Sequence, residues 1–327
     1  MKYRRLGLTS LFVSEISLGC SGYWGDYRFD EGLAVALVRQ AFDLGLNFYD
    51  TGHNYSNFNA EPRLGVAIRE ILAQHDRDEL VISSKAGSLR GRAPILGLHN
   101  RHSTQDFSAD SIEQSCINSI QNLGCSYLDI FQLHGIPPSA LSISLLNRLE
   151  RMRSIGLYLF LGINTHDTEM IEFISKHPGL CDMVLLDYNV LQLDREPLIE
   201  RLVLSGVGVV AGTVLAQGHI VKSKIGSIRT GSFFWYLARS LLKPSSRNLA
   251  RSSSRMRKLL AGLDGIKPSQ AAFAYILSNP LISSCVFGTT SIPNLIEVIG
   301  STDLRLEESS RLAIRECFEE LEKQISA

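Results

Sequence analysis

The amino-acid sequence predicts a single (β/α)8 TIM barrel, in which eight parallel strands, each followed by a helix, close into a ring. Short apolar segments of four to eight residues alternate with longer amphipathic segments along the whole chain of 327 residues. Segments of that kind are typical of strands buried on both faces, and strict strand–helix alternation makes neighbouring strands parallel. No break in composition divides the chain, so we predict one barrel domain spanning residues 1–327.

The elements follow in order after a predicted N-terminal β-hairpin. The predicted strands are Ile16–Cys20, Asn47–Asp50, Leu80–Lys85, Leu128–His134, Leu157–Asn164, Met183–Asn189, Gly208–Val214 and Cys285–Gly288. Helices are predicted at about 31–45, 59–73, 109–123, from Pro137-Pro138, 167–177, 195–205, 268–278, 292–299 and 305–323. Ser108 and Gly124 flank the third helix, as helix caps do. Extra loops are predicted after strands three and seven.

An open, doubly wound sheet is the alternative fold. It would require a glycine-rich turn of the form G-x-G-x-x-G after the first strand, where a nucleotide phosphate binds. The sequence at this point reads Gly19-Cys20-Ser21-Gly22, which lacks that pattern. The barrel is therefore favoured.

Composition narrows the class of protein. The formal net charge is zero, so the molecule as a whole has no electrostatic attraction to nucleic acid or to an anionic membrane. No segment reaches the ~20 apolar residues of a membrane span, and Met1–Gly7 lacks the apolar run of a signal peptide. The six cysteines form no C-x-x-C pair and have no histidine at zinc spacing. We expect a cytoplasmic protein with reduced, buried thiols, without a metal site and without stable membrane insertion; the sequence does not indicate an oligomeric state.

Four polar residues follow consecutive predicted strands. The second strand ends in Asp50 with Tyr55 five residues later, the third ends in Lys85, and the fourth ends in His134. Reactive groups of such barrels lie at the C-terminal ends of the strands. An ammonium lowers the pKa of a nearby phenol, a carboxylate keeps the ammonium charged, and a histidine can orient a carbonyl oxygen. Each residue alone could be a cap or a packing residue, but together they predict an acid catalyst.

The segments around these residues resemble the aldo-keto reductases. Asn47–Tyr55 is similar to the signature of strand two in that family, and Glu61–Gly65 to the helix that follows it. Val81–Lys85 resembles the lysine motif of strand three, and Leu128–His134 the histidine motif of strand four. The opening from Tyr3 to Gly19 also fits, so the likeness covers nearly the whole chain in order.

The resemblance implies an activity and a set of roles. An NADP(H) cofactor at the barrel mouth would reduce the carbonyl of a small aldehyde or ketone, or oxidise the corresponding alcohol. Tyr55 would act as general acid, Lys85 paired with Asp50 would lower its pKa, and His134 would orient the carbonyl oxygen. Residues 106–124 look most like members that act on sugars. Tyr23 and Trp24, in the loop after the first strand, either contribute to the substrate site together with Tyr55 and His134 or serve as packing.

Cofactor contacts are implied less directly, because the sequence departs from the family pattern at several positions. Gly212 stands where an aromatic residue usually stacks on the nicotinamide, and Gly288 and Asn294 stand where a Lys and an Arg usually hold the 2′-phosphate. Thr289 and Thr290 offer hydroxyl donors there, and the preference for NADPH follows from the resemblance. The implied contacts are Cys20, Asp50, Asn164, Thr165, Asp187, Gly212, Thr213, Leu215, Gln217, Gly218, Gly288, Thr289, Thr290, Asn294 and Glu297.

Two loops carry further positive charge. No Asp or Glu occurs between Arg201 and Leu263, and the basic insertion at residues 219–258 has three interpretations: a solvated loop, a clamp for phosphate groups, or a surface attachment in which 231–243 is the interfacial part. The loop from Gly87 to Phe107 is a second candidate for substrate contacts. His99 and His102 lie in this loop without an acidic or thiol partner nearby in sequence, which disfavours a metal site.

Three classes of function fit the predicted site. The first is a carbonyl reductase, which the complete set of four polar residues favours. The second is a regulatory protein that senses the cofactor and turns over slowly, resembling the potassium-channel β subunits; the departures at Gly212 and Asn294 keep it open. The third is a barrel that performs non-redox chemistry such as isomerisation.

Overall fold

The computed structural model describes residues 1–89, 104–221 and 244–326. Its centre is a closed barrel of parallel strands in the order β3-β4-β5-β8-β9-β10-β11-β12, which confirms the predicted fold class. The barrel strands are β3 (Ile16–Gly19), β4 (Phe48–Asp50), β5 (Val81–Ala86), β8 (Leu128–His134), β9 (Tyr158–Asn164), β10 (Met183–Asp187), β11 (Gly208–Gly212) and β12 (Ile282–Phe287).

Helices pack around the outside of the barrel. They are α1 (Glu31–Asp43), α2 (Ala60–Leu72), α3 (Ala109–Leu123), α4 (Ile143–Ser154), α5 (Thr168–Lys176), α6 (Glu196–Leu204), α7 (Pro244–Ala261), α8 (Pro268–Leu277), α9 (Ile292–Ile299) and α10 (Glu308–Ser326). Most lie within a few residues of the predicted bounds. Helix α4 differs, because the two prolines form a single 3₁₀ turn and the helix begins only after Ser142, whose hydroxyl accepts a hydrogen bond from Leu145 N at 3.2 Å.

The N-terminal hairpin closes the bottom of the barrel. It pairs β1 (Tyr3–Arg5) with β2 (Phe12–Ser14) in antiparallel register. Leu6 and Val13 are fully buried and pack with inward-facing strand residues such as Phe48 and Ile130. The opening of the barrel is therefore at the C-terminal ends of its strands, where the predicted reactive groups lie.

Both predicted extra loops are present. The loop after β5 contains a short antiparallel pair, β6 (Ser88–Leu89) with β7 (Thr104–Gln105), and the loop after β11 returns through α7. His99, His102 and their neighbours, and residues 222–243 of the basic insertion, lie outside the described residues. Their predicted roles stay predictions.

The burial of the cysteines follows the prediction, since all six are free and buried. In the described ranges, no group of three or more His, Cys, Asp or Glu could hold a metal ion. Among the helices of those same ranges, none has the length and apolarity that crossing a membrane requires.

Candidate active site

The four predicted catalytic residues meet at the barrel mouth. Asp50 ends β4, Lys85 lies near the end of β5, and His134 ends β8, and these strands are neighbours in the barrel. Lys85 Nζ lies 2.5 Å from Asp50 Oδ2 and 4.9 Å from the centre of the Tyr55 ring. The rings of Tyr55 and His134 are 5.7 Å apart and meet edge to face at 83°. A phenol, an imidazole and an ion pair thus face one small volume.

The Lys85 ammonium is almost completely buried, with a side chain 1% exposed. Besides Asp50, it donates a hydrogen bond to the Thr51 carbonyl at 2.8 Å. Burial by itself lowers the pKa of Lys85, but the charge of Asp50 and the contact with Tyr55 outweigh that effect and raise the pKa above its ordinary value. A permanent cation is therefore held beside the tyrosine ring throughout the neutral range.

The turn after Tyr55 has an unusual backbone. Ser56, Asn57 and Phe58 adopt φ values of 51°, 58° and 65°, the left-handed region that residues other than glycine seldom occupy. The Ser56 hydroxyl donates to Gly22 O at 2.8 Å, which ties this turn to the loop after β3. Such strain persists only where surrounding contacts enforce it, and it is frequent at functional sites. The position of Tyr55 is consequently fixed by two loops.

A buried carboxylate lies behind Lys85. Glu61 in α2 is 1% exposed and accepts hydrogen bonds from Ser84 Oγ at 2.5 Å and Asn122 Nδ2 at 3.1 Å, with His53 Nδ1 at 3.4 Å. Burial raises the pKa of Glu61, but these hydrogen bonds more than offset it and the pKa is lowered. The network joins α2, α3 and β5 immediately beside the lysine.

On the opposite side of the mouth, Asp187 ends β10 directly beside Gly212 of β11. Asp187 Oδ2 lies 2.8 Å from His166 Nδ1, and Oδ1 accepts a hydrogen bond from Thr213 Oγ1 at 2.9 Å. Burial raises the pKa of Asp187, but the hydrogen bond and charge of His166 outweigh it and the pKa is lowered. This carboxylate is therefore ionised at neutral pH.

Gly212 packs closely against the residues next to that carboxylate. A Cβ atom built on Gly212 would lie 3.1 Å from Leu185 Cδ2 and 3.7 Å from Asp187 Oδ1. A side chain at this position would therefore crowd Leu185, and glycine leaves bare backbone beside the carboxylate.

Asn164 and Thr165 follow on the neighbouring strand, and both are buried. Asn164 Nδ2 donates to Leu185 O at 3.2 Å, which leaves the amide oxygen as a further acceptor. Thr165 Oγ1 accepts from Asp167 N at 3.1 Å, so this hydroxyl helps the chain to enter α5. Of the two, Asn164 is the better placed to contact a ligand.

The loop after β11 is also strained. Thr213, Ala216 and Gln217 have φ values of 50°, 45° and 57°. The loop closes through a hydrogen bond from Gly218 N to Leu215 O at 2.7 Å. Arg257 of α7 donates to His219 O at 3.0 Å, so the described end of the basic insertion anchors this loop.

The end of β12 leads into α9 through a hydroxyl-rich turn. Ser291 caps α9 by accepting from Asn294 N at 3.4 Å, and Ser291 N donates to Thr289 Oγ1 at 3.1 Å. Glu297, on the same helix, pairs with Lys267 Nζ at 2.7 Å and accepts a hydrogen bond from Ser269. Gly288, Thr289, Thr290 and Asn294 therefore surround the start of a helix, whereas the Glu297 carboxylate is engaged within the protein.

The residues predicted to contribute from β3 and the loop after it are all buried, with different neighbours. Trp24 is 2% exposed and its indole N–H donates to Ala34 O of α1 at 3.3 Å, so this side chain packs against α1, and its role as a substrate contact stays a prediction. Tyr23 is buried against Phe29, with ring centres 5.8 Å apart. Burial, with the charge of Asp50, raises the pKa of the Cys20 thiol far above its ordinary value, so Cys20 is a neutral neighbour of the site.

Two polar residues at the mouth received no role from the sequence. Gln132 lies in β8 and is fully buried beside Asp50, and His166 pairs with Asp187. A glutamine between the apolar residues Phe131 and Leu133, inside a buried strand, was the signal for the first. The second had no signal beyond its place after a strand end.

Comparison with known proteins gives one consistent result. The model of the Aldo/keto reductase family matches residues 15–319. L-Galactose dehydrogenase of Arabidopsis thaliana is 27% identical over 312 residues, which cover 92% of this chain and 88% of the relative. L-Glyceraldehyde 3-phosphate reductase of Escherichia coli K12 is 28% identical over 314 residues, covering 91% and 86%. The solved structure of aldo-keto reductase AKR11C1 from Bacillus halodurans, a holo form, superposes with a TM-score of 0.73 at 20% identity, covering 98% of this chain and 96% of that one.

Proposed function

The chain belongs to the aldo/keto reductase family, and from this premise we propose that it is an NADP(H)-dependent oxidoreductase that reduces an aldehyde or ketone with Tyr55 as general acid. One observation carries the proposal. Lys85 contacts both Asp50 and the face of the Tyr55 ring, in the volume that the His134 ring also borders. A packing role accounts poorly for a buried ammonium held against a phenol.

The cofactor proposal is supported by the fit of the opposite wall. Gly212 presents bare backbone beside Asp187, which would suit the face of a flat ring, and Asn164 Oδ1 and Asp187 would accept from the N–H₂ of a carboxamide on that ring. When bound, the nicotinamide supplies the hydride. The turn before α9 would hold the adenosine phosphate through Thr289, Thr290 and backbone N–H groups, which favour an anion at a helix N-terminus.

The proton is the contribution of the protein. A phenol is a weak acid at neutral pH, and a neighbouring cation favours its anion. Lys85, kept charged by Asp50, therefore helps Tyr55 to release a proton to the carbonyl oxygen. His134, against the edge of the same ring, would donate a hydrogen bond that fixes this oxygen within reach of the tyrosine hydroxyl.

The substrate class and the cellular setting extend the proposal. Both relatives named above act, by their names, on a sugar or a sugar-derived aldehyde, which supports a small polyhydroxylated carbonyl compound here. Six free, buried cysteines support a reducing compartment, the cytoplasm. The assembled ion pair, phenol and imidazole favour turnover over slow cofactor sensing, since binding alone does not need a tuned acid.

The test is the substitution Tyr55→Phe, assayed with NADPH and para-nitrobenzaldehyde as the carbonyl probe. We expect turnover to fall by about 10²- to 10⁴-fold, because the general acid is lost. The affinity for NADPH, followed by quenching of tryptophan fluorescence, should stay within about threefold, a change below ~1 kcal/mol. A parallel titration of the wild type with NADH should give weaker binding.

Tyr127→Phe is the matched control, because this tyrosine stacks under Arg77 at the opposite end of β8 and should leave turnover unchanged. Normal turnover in Tyr55→Phe would show that another group is the acid. Equal or tighter binding of NADH would overturn the choice of cofactor, and binding of neither would overturn the oxidoreductase proposal.

A further inference from the structure

We propose that Gln132 is a positioning residue for the catalytic assembly formed by Asp50, Tyr55, Lys85 and His134. Its amide holds the Asp50 carboxylate in the orientation that leaves Lys85 facing Tyr55. The inference rests on the proposed function, since it concerns the same acid. It goes beyond the four polar residues of the sequence motifs, and every contact that carries it lies inside the barrel.

Both N–H groups of the Gln132 amide donate hydrogen bonds to side chains beside Lys85. Gln132 Nε2 donates to Asp50 Oδ1 at 2.8 Å and to Ser83 Oγ at 2.6 Å. Because Lys85 Nζ occupies Oδ2 at 2.5 Å, the two oxygens of Asp50 have different partners on different strands. The carboxylate plane is thereby fixed between β5 and β8, and it cannot rotate towards Lys85 without breaking the amide contact.

The barrel makes room for this side chain at a specific place. Gln132 pairs with Gly162 of β9, and a Cβ atom on Gly162 would lie 2.7 Å from Gln132 Cγ. Any larger residue at 162 would displace the amide. The glutamine and the glycine thus act as one unit across two adjacent strands.

A buried polar residue at position 132 carries an energetic penalty, and packing alone gives no reason for it. Gln132 is fully buried, and the strand residues below it, such as Ile130 and Val81, are apolar. Gln132 Oε1 is buried without a hydrogen-bond partner among the described residues. An unsatisfied acceptor is unfavourable in an apolar interior, and a leucine would fill a similar volume without one. The hydrogen bond from the amide nitrogen to Asp50 accounts for a glutamine at this position.

Loss of that hydrogen bond has a predictable electrostatic effect. A freed Asp50 carboxylate can rotate and offer both oxygens to Lys85, which neutralises the ammonium more completely. The groups that titrate around Tyr55 are Lys85 from β5, Asp50 from β4 and His134 from β8, with the neutral Cys20 thiol at the end of β3. A weaker cation stabilises the phenolate less, so Tyr55 should lose its proton at a higher pH.

The experiment reads Tyr55 without cofactor or substrate. The near-ultraviolet phenolate absorbance of the free protein is titrated with base, and the curve of Tyr55→Phe is subtracted, which cancels the other tyrosines. The same subtraction is made in the Gln132→Leu background. We expect the midpoint for Tyr55 to rise by about one pH unit, a tenfold change in acidity.

Ser17→Ala is the matched control, because Ser17 Oγ, on β3, is another buried oxygen without a hydrogen-bond partner among the described residues, and it therefore makes no hydrogen bond to the assembly. Its midpoint should equal that of the wild type. If Gln132→Leu does not fold, Gly162→Ala displaces the amide without removing it and should shift the midpoint in the same direction. An unchanged midpoint in a folded Gln132→Leu or Gly162→Ala protein would overturn the proposal.

Activity supplies a second readout. With NADPH and para-nitrobenzaldehyde, the pH at which kcat falls on the alkaline side should rise in Gln132→Leu by the same amount, while the KM for NADPH stays within about twofold. A purely structural role would lower the amount of active protein and leave that pH unchanged. If no hydride transfer occurs in any variant, the proposed function fails, whereas the absorbance titration still decides the role of Gln132.

Discussion

The two ends of the barrel are built on opposite principles. At the bottom, the Arg4 guanidinium donates to the carbonyls of Leu277, Asn279 and Ile282 at 2.7 to 3.1 Å and pairs with Glu15 at 2.7 Å. At the mouth, three consecutive residues after Tyr55 are left-handed, an ion pair is buried, and Gln132 Oε1 lacks a partner in the described chain. At the bottom a charged donor satisfies several carbonyls at once, whereas at the mouth a strained turn lies where chemistry is proposed.

The largest expected effect comes from breaking the mouth at Lys85. Lys85→Met should lower carbonyl reduction by about 10²- to 10⁴-fold, because Tyr55 loses its cation. It should also lower the free energy of unfolding by ~3–5 kcal/mol, because Asp50 is left buried and unpaired. Urea denaturation and the NADPH assay measure the two effects.

The double variant Lys85→Met/Asp50→Asn sharpens this test. Removing both charges should recover most of the stability and none of the activity, because only the ion pair tunes the tyrosine. Recovery of turnover in the double variant would contradict the role given to Lys85.

The second-largest effect is expected from a substitution at the bottom of the barrel. Arg4→Met should lower the free energy of unfolding by about 3 kcal/mol, because carbonyls that follow α8 and the Glu15 carboxylate lose a charged donor. The kcat of the remaining folded protein should equal that of the wild type. A fall in kcat without loss of stability, measured by the same two assays, would show that the two ends are not independent.

The smallest effect distinguishes the two walls of the mouth. Asp187→Asn should weaken the binding of NADP⁺ relative to NADPH by about tenfold, because a carboxylate beside the proposed position of the ring favours the cationic ring over the neutral one. The pKa of Asp187 is lowered below its ordinary value of 3.8, so this preference should persist as the pH falls and disappear only below that value.

Isothermal titration with each form of the cofactor at several pH values measures this ratio. Asp167→Asn is the charge-matched control, since Asp167 is exposed at the start of α5 and its side chain accepts from Glu169 N. An equal ratio in Asp187→Asn and the wild type would place the ring away from this wall.

The sequence was sufficient for the framework of both ends. Alternating apolar and amphipathic segments predict the barrel, and the rule that reactive groups lie at the ends of the strands predicts that Asp50, Lys85 and His134 come together. Tyr55 could be added because its spacing from Asp50 resembles a family motif. These inferences depend only on the order of residues along the chain, because that order determines where each strand end lies in the barrel.

The remaining features depend on side-chain direction, which the order of residues does not contain. Trp24 lies in the right loop but its indole turns towards α1. The left-handed turn at Ser56–Phe58 contains no glycine that would have indicated it. Gln132 stands out as a polar residue between Phe131 and Leu133, but the alternating period of a strand does not show which partner such an amide has. Its meaning required the distance to Asp50.

The burial of the cysteines has a chemical consequence for a protein that is proposed to bind aldehydes or ketones. All six thiols are buried, and burial raises their pKa values, to about 11 for Cys125 and far above the ordinary range for Cys20 beside the site. Thiolates, rather than thiols, add to electrophilic carbonyl compounds and their unsaturated derivatives. The protein therefore exposes almost no thiolate to such compounds, and any covalent modification by them should fall on side chains other than cysteine.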